Sequence, residues 1–293
     1  MKKYFATFFV VLLFSCSIYS QIQDRFEALG PDNLKNYAKP FATTLGAGLN
    51  SGGYNSASIS NLFSFSISFR AMYIMIPEDQ KTFTPQLPSG YTSGPAATIY
   101  GDKGGAYAGP AGYITTPGGF NASYAPGGMP QIAVSFMGTQ VMLRYVPSIK
   151  ISDNEDFNMF GIGIAHEVSQ YFPLMPVDVA VQFLYNKLSV GDLISCSSVA
   201  FNAHASKTFG VVTPYFGLQY ESTSLTAKYT IKAQPNSGDP ALQQDQNVSV
   251  DLNGGDTFRA TLGLALDLPV ITINADYSIS SQPVLSAGLT FGL

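Results

Sequence analysis

The most reactive pairing in this sequence is His204 with Ser206, in the run His204-Ala205-Ser206. Residues two apart on a β-strand share a face, so imidazole and hydroxyl can approach one another. A histidine so placed can activate a serine for nucleophilic hydrolysis, with a lipid ester as the substrate. The competing reading is an unreactive polar pair, and two points favour it. No third, orienting acid can be named, and the surrounding alternation turns both groups away from the apolar face. His166 is remote in sequence, and neither histidine has clustered Cys, Asp or Glu beside it, so no zinc site is expected. Gly46-Ala47-Gly48 and Gly161-Ile162-Gly163 lack the full spacing of a phosphate-cradling loop. No cofactor is expected, and the chain is not read as an enzyme.

A second set is ionic. Arg70, Arg144, Glu221, Arg259 and Asp276 fall, like His204, on the polar face of alternating segments. Inside a small barrel such charges pair and fill the interior; inside a wider one they line a path and set ion preference. Both readings of these lumen-lining candidates stay open. Charges in the long loop, such as Glu78, Asp79, Lys81, Asp102 and Lys103, are read as solvated.

The elements that carry these residues follow from strict alternation. From Asn61 to Ile76 one face reads Phe63, Phe65, Ile67, Phe69, Ala71, Tyr73, Met75, and the other Leu62, Ser64, Ser66, Ser68, Arg70, Met72. Val141, Leu143 and Tyr145 oppose Gln140, Met142 and Arg144 in the same way. Phe201, Ala203 and Ala205 oppose Asn202, His204 and Ser206; Ile271, Ile273, Ala275 and Tyr277 oppose Thr272, Asn274, Asp276 and Ser278. A soluble sandwich also alternates, but its polar face is heavily charged. Here small residues and amides predominate, and only 12% of the chain is charged, about half the usual share. Segments of this kind are the signature of a transmembrane barrel. Tyr73, Tyr145, Tyr185, Tyr220 and Tyr277 suit interfacial girdles, or simply reflect strand propensity.

The fold expected is therefore all-β, an antiparallel transmembrane β-barrel of about 12 strands (10–14), with a short N-terminal helical segment. Counting 225–233 and 247–252 as separate strands puts loop 235–246 on the short-turn side, which is itself a conflict. Residues 1–20 read as an export signal: Lys2 and Lys3, an apolar core from Tyr4 to Phe14, then small residues up to Ser20. Cleavage after Ser20 competes with lipidation of Cys16, for which Leu13-Phe14-Ser15-Cys16 is a loose lipobox. The lone Cys196 of the mature chain is read as a small apolar residue. Residues 21–56 form an N-terminal segment, either a plug or a periplasmic helix, with a helix suggested by Pro31, Asp32, Leu34, Tyr37 and Ala38. The barrel takes 57–293, interrupted by Pro77–Pro130, where 11 Gly and 8 Pro point to a surface loop or partial lumen cover. Residues 166–176 suggest a short amphipathic helical turn at a membrane rim. The formal charge of −4 offers no footprint for nucleic acid.

Several motifs add a resemblance. Phe160-Gly-Ile-Gly-Ile-Ala-His166, Gln170-Tyr-Phe-Pro173 and Leu174-Met-Pro-Val-Asp178 are the strongest, joined by Phe26-Glu-Ala-Leu-Gly30, Gly48-Leu-Asn-Ser-Gly52, Ser206-Lys-Thr-Phe209 and Thr213-Pro-Tyr215. Together they resemble an uncharacterised family of outer-membrane barrel proteins of the Bacteroidota. The resemblance implies a barrel in the cell outer membrane and assigns no functional residue. Three functions are carried forward: a passive channel or transporter for small or hydrophobic solutes, a closed structural barrel presenting loops to a partner, and a lipid hydrolase using His204 and Ser206. The expected partners are outer-membrane lipid and small solutes, with no protein partner identified.

Overall fold

A computed structural model describes residues 25–26, 29, 31–152, 155–231 and 243–292. The proposed signal at 1–20, Cys16 and most of loop 235–246 lie outside them. The helix α1 (Pro31–Leu49) precedes the strands. Strand β1 (Ser64–Met75) is followed by an insert with two small ladders, β2 (Thr82–Phe83) with β3 (Ala96–Ala97), and β4 (Ala106–Gly109) with β5 (Gly112–Thr115). Then come β6 (Tyr124–Phe136), β7 (Thr139–Ser152), β8 (Glu155–Glu167), β9 (Asp178–Val190) and β10 (Ile194–Ser206). The chain finishes with β11 (Val212–Ile231), β12 (Gln246–Asn253), β13 (Phe258–Asp267), β14 (Ile271–Ile279) and β15 (Val284–Gly292).

Ten of these close an antiparallel ring, in the order β1, β6, β7, β8, β9, β10, β11, β13, β14, β15 and back to β1. The first and last strands meet, with Phe69 opposite Leu289 and Tyr73 opposite Leu285. The expected count of 12 is corrected by β11. Its 20 residues absorb the stretch read as a separate strand, and β12 and β13 lie end to end along the same flank of it. Val212–Tyr220 pair with β13, and Ser224–Ile231 pair with β12. This resolves the conflict over the 235–246 connection, because β11 ends and β12 begins at the same rim as the long insert. Short turns occupy the opposite rim. At one of them Met137 and Gly138 have φ of 51° and 68°, the two left-handed positions of a type I′ hairpin. The 166–176 segment, also at that rim, holds a single 3₁₀ turn, Ser169–Tyr171, followed by exposed Phe172, Leu174 and Met175.

Alternation fixes the two faces of the wall. Phe65, Ile67, Ile132, Val134, Phe201, Leu218, Leu264 and Leu289 are exposed on the outside, together with Tyr73, Tyr145, Tyr220 and Tyr277; Tyr185 is half-buried. Inward positions change character along the barrel. Near the turn rim they are polar: Gln131, Gln182, Asn202, Gln219, Asn274. Near the insert rim they are apolar: Met72, Ile74, Met159, Leu188, Leu225, Leu252. There they enclose α1, which buries Leu34, Tyr37, Ala38, Phe41, Ala42 and Leu49. The helix is longer than the sequence suggested and continues past Pro40, whose carbonyl accepts hydrogen bonds from Thr44 Oγ1 (2.9 Å) and Gln282 Nε2 (3.2 Å). Gly46 allows its close approach to β11, since a Cβ there would collide with Thr223 Oγ1.

The expected loop 77–130 is also corrected. Its last seven residues, Tyr124–Pro130, belong to β6 and pair with β1 throughout. The strand tolerates Pro126 and Pro130 because of where they point. Ile76 N–H binds the Ser123 carbonyl at 3.0 Å, so odd-numbered residues of β6 turn their backbone groups to β1 and even-numbered ones to β7. Both prolines thus aim their missing N–H away from β1. The remaining insert is a lid over α1: Ile99 N–H binds the Tyr37 carbonyl (3.1 Å), and Tyr37 Oη donates to Gly118 O (2.8 Å).

Candidate functional site

Beyond α1 the chain turns down the axis of the barrel, and residues 50–60 run through the lumen to the turn rim. Inward side chains of the wall hold this thread largely by its backbone. Arg144 Nη1 donates to Leu49 O (2.6 Å) and Nη2 to Ser51 O (2.9 Å). Gln219 reaches Asn50 O (3.3 Å), Gln131 reaches Gly52 O (3.3 Å), and Gln182 reaches Gly53 O (3.0 Å). Further along, Ser206 Oγ accepts from Ala57 N–H (2.9 Å), and Glu167 Oε2 accepts from Ile59 N–H (2.7 Å). An extended backbone inside a barrel has no ladder of its own, and each buried carbonyl or N–H left unpaired would cost about 1–3 kcal/mol.

The six residues singled out in the sequence are all buried on the inward face. Arg259 and Glu221 form a two-pronged ion pair (Nη2–Oε1 2.9 Å, Nε–Oε2 3.2 Å), and Arg259 also donates to Ser51 Oγ (2.7 Å) and Ala47 O (3.3 Å). Gln219 Nε2 adds a bond to Glu221 (2.5 Å). Arg70 donates to Asn274 Oδ1, and Asp276 accepts from Tyr215 Oη (2.9 Å) and Asn274 Nδ2 (3.4 Å). Arg144 and Arg259 are therefore spent on the thread.

His204 and Ser206 are each bonded to other groups. His204 Nδ1 bonds Asn202 Oδ1 (2.8 Å), and its ring stacks on Tyr54 of the thread at 4.1 Å between centroids. Ser206 is committed to Ala57 and, at 3.2 Å, Ser56 Oγ. His166 lies at the turn rim, bonded to Thr139 Oγ1 (2.8 Å) and Tyr171 Oη (3.0 Å). Among the described residues no group of His, Cys, Asp or Glu could hold a metal ion. Cys196 is buried in the apolar half against α1 and its neighbours.

Above the thread, a cavity of about 210 Å³ is lined by Phe41, Leu45 and Leu49 of α1, Met72 and Ile74 of β1, Ile99, Tyr100 and Phe120 of the lid, and Phe157, Met159 and Leu188 of the wall. Its lining is almost wholly apolar. Burial pushes the phenols of Tyr37 and Tyr100 above their ordinary range; nearby Arg25 partly offsets this at Tyr37. The sequence offers 21–56 as a plug or a periplasmic helix but not the thread's partners, several of which are neutral amides without a charge signal; the cavity escapes it because it gathers residues from α1, the lid and four strands.

A closed antiparallel barrel, apolar outside and filled by its own N-terminal segment, is the class these observations define. The chain belongs to the family described as Family of unknown function (DUF6588), whose model matches residues 1–293. None of the curated proteins compared matches it. Among solved structures, it is similar to the transport unit of the autotransporter AIDA-I from Escherichia coli (8% identity, TM-score 0.28, 89% of this chain and 98% of that chain). It is also similar to a mutant of Rh. blastica porin (12%, 0.18, 79% and 99%) and to Ail of Yersinia pestis (9%, 0.19, 79% and 99%). At these scores the overlaps carry no argument, and the barrel stands on its strand ladder alone.

Proposed function

We propose that this protein is an outer-membrane barrel that is closed to water and ions and takes small apolar molecules into the cavity beneath its lid. Export by the segment 1–20 and a Bacteroidota source belong to the same proposal. The exposed aliphatic and aromatic belt supports a membrane position, since it would otherwise face water; among the described residues no helix is long and apolar enough to cross a membrane. The observation that carries the functional reading is the division of the interior. Its polar half is threaded by residues 50–60, which leave only about 70 Å³ there, and its apolar half keeps the larger, apolar space. At about 210 Å³ the cavity falls just below the roughly 300–1,000 Å³ of drug-sized pockets, which suits a short acyl chain or a single ring.

The chain contains no tryptophan, so Phe120→Trp places a single fluorophore at the cavity wall. Saturable quenching by bromodecanoic acid, abolished by Gly127→Leu, is the expected result, with no glucose-driven swelling of proteoliposomes. Glucose entry or unsaturable quenching would overturn the reading.

A further inference from the structure

The wall of the barrel is not hydrogen-bonded along its whole height. β6 pairs with β1 from Ser135 to Tyr124, but with β7 only from Phe136 to Gln131. Beyond Gln131↔Arg144 no ladder joins the two strands, although β7 continues to Ser152 along β8. Tyr124–Pro130 and the upper part of β7 therefore border a seam. Its cause is written in the backbone. Pro130 and Pro126 occupy even positions of β6, those that turn toward β7, and neither has an N–H to give. On the opposite side Pro147 sits in the β7 bulge between Val146 and Ile149. Continuing the existing register would set Pro130 against Tyr145 and Pro147 against Gly128, so two successive pairs lack a donor.

The apolar cavity lies directly behind this seam. It contacts the inward residues Ala125, Gly127 and Met129 and also the outward residues Tyr124, Pro126 and Gly128. Along Tyr124–Met129 the cavity is thus walled by a strand whose edge toward β7 is unpaired, while its other edge is sealed by β1. Outside, the seam is framed by exposed tyrosines: Tyr145 at its foot, and Tyr124 stacked on Tyr73 at its head (4.6 Å between centroids). Such rings favour the boundary between hydrocarbon and headgroups.

We infer that the seam between β6 and β7 is a lateral portal, through which an apolar molecule dissolved in the membrane enters the cavity without crossing water. The inference rests on the proposed function and adds the route and the ligand source: a membrane-partitioned molecule of short-acyl or single-ring size. Backbone groups unpaired in hydrocarbon are costly, so the seam persists only where headgroups, water or a passing ligand can meet them.

The test uses full-length protein with Phe120→Trp in phosphatidylcholine vesicles. Pro130→Val together with Pro147→Val returns two of the three missing donors, those at positions outside the cavity lining. With the seam zipped, the rate of quenching by vesicle-borne bromodecanoic acid should fall at least tenfold, with the extent of quenching at equilibrium unchanged. Hydrogen exchange on the unaltered protein supplies a measurement independent of that variant: the amides of Tyr124, Gly128 and Tyr145 should exchange far faster than those of Ile132 and Val134. An unchanged quenching rate in a variant whose seam amides have become protected would overturn the portal, as would protection of those amides in the unaltered protein. Absence of any quenching in the Phe120→Trp protein would instead sink the cavity as a binding site, a different failure.

Discussion

Arg144 holds the Leu49 carbonyl at 2.6 Å and so fixes the point where α1 ends and the lumenal thread begins. The same guanidinium takes Ser51 O and Gln131 Oε1. One side chain thus ties two carbonyls of the thread to β6 and β7.

Removing that tie should loosen the plug. In planar bilayers the unaltered protein is expected to stay silent across voltages. Arg144→Ala, which strands two carbonyls at about 1–3 kcal/mol each, should show brief conductance steps. Steady steps from the unaltered protein would mean that the lumen conducts.

Glu221 and Arg259 are both about 1% exposed, so neither can be left alone cheaply. Glu221→Ala should lower stability by about 3–5 kcal/mol, read as a shifted denaturant midpoint in detergent. The double change Glu221→Leu, Arg259→Met should lose less than the single one. An equal or larger loss in the double variant would show that contacts to Ser51 and Ala47, rather than the ion pair, dominate.

Ser206→Ala deletes an acceptor for the buried Ala57 N–H and should cost about 1–3 kcal/mol. Membrane lipid profiles with and without Ser206 should be identical. A lipid that accumulates only in the Ser206→Ala strain would restore the hydrolase reading.

Gly46→Ala drives a methyl into Thr223 Oγ1 and to 2.8 Å from its Cβ. Overpacking of this kind costs about 1–3 kcal/mol. The expected sign is faster proteolysis within α1, recovered in part by Thr223→Ala, which removes Oγ1 but keeps Cβ.

Alkali should act through Tyr37 and Tyr100, whose burial holds the folded-state phenols protonated above their ordinary range. Between the free phenol value of 10.0 and the higher folded value, the unfolded chain releases protons that the folded one keeps. Stability is then complete below pH 10 and falls as pH rises beyond it. Tyr100→Phe should flatten that fall in a pH series of melting curves.

The inward and outward faces were legible because alternation is local: Arg70, Arg144, His204, Glu221, Arg259 and Asp276 were placed on one face from sequence, and each is buried there. What they bind was not legible, since the thread meets Arg144, His204 and Arg259 from positions about ninety residues or more away, and the others pair with distant strands of the wall. The start of β6 was obscured by its own chemistry, because Pro126, Gly127, Gly128 and Pro130 read as breakers unless one knows that a single edge of the strand is used. The apolar upper interior was hidden for a related reason. Met72, Ile74 and Leu188 interrupt the polar stripe of their strands, and nothing local distinguishes a lumen that holds a helix from one that holds water.

A segment laid through a ring also constrains history. α1 is about 10–12 Å across with its side chains and is followed by residues whose carbonyls bind the wall from within. Drawing it through a finished ring would first require breaking those bonds or unwinding the helix. A ring closed by the meeting of its first and last strands, β1 and β15, around a segment already in place would avoid both. On that route residues 31–60 are the mould around which the strands are wrapped.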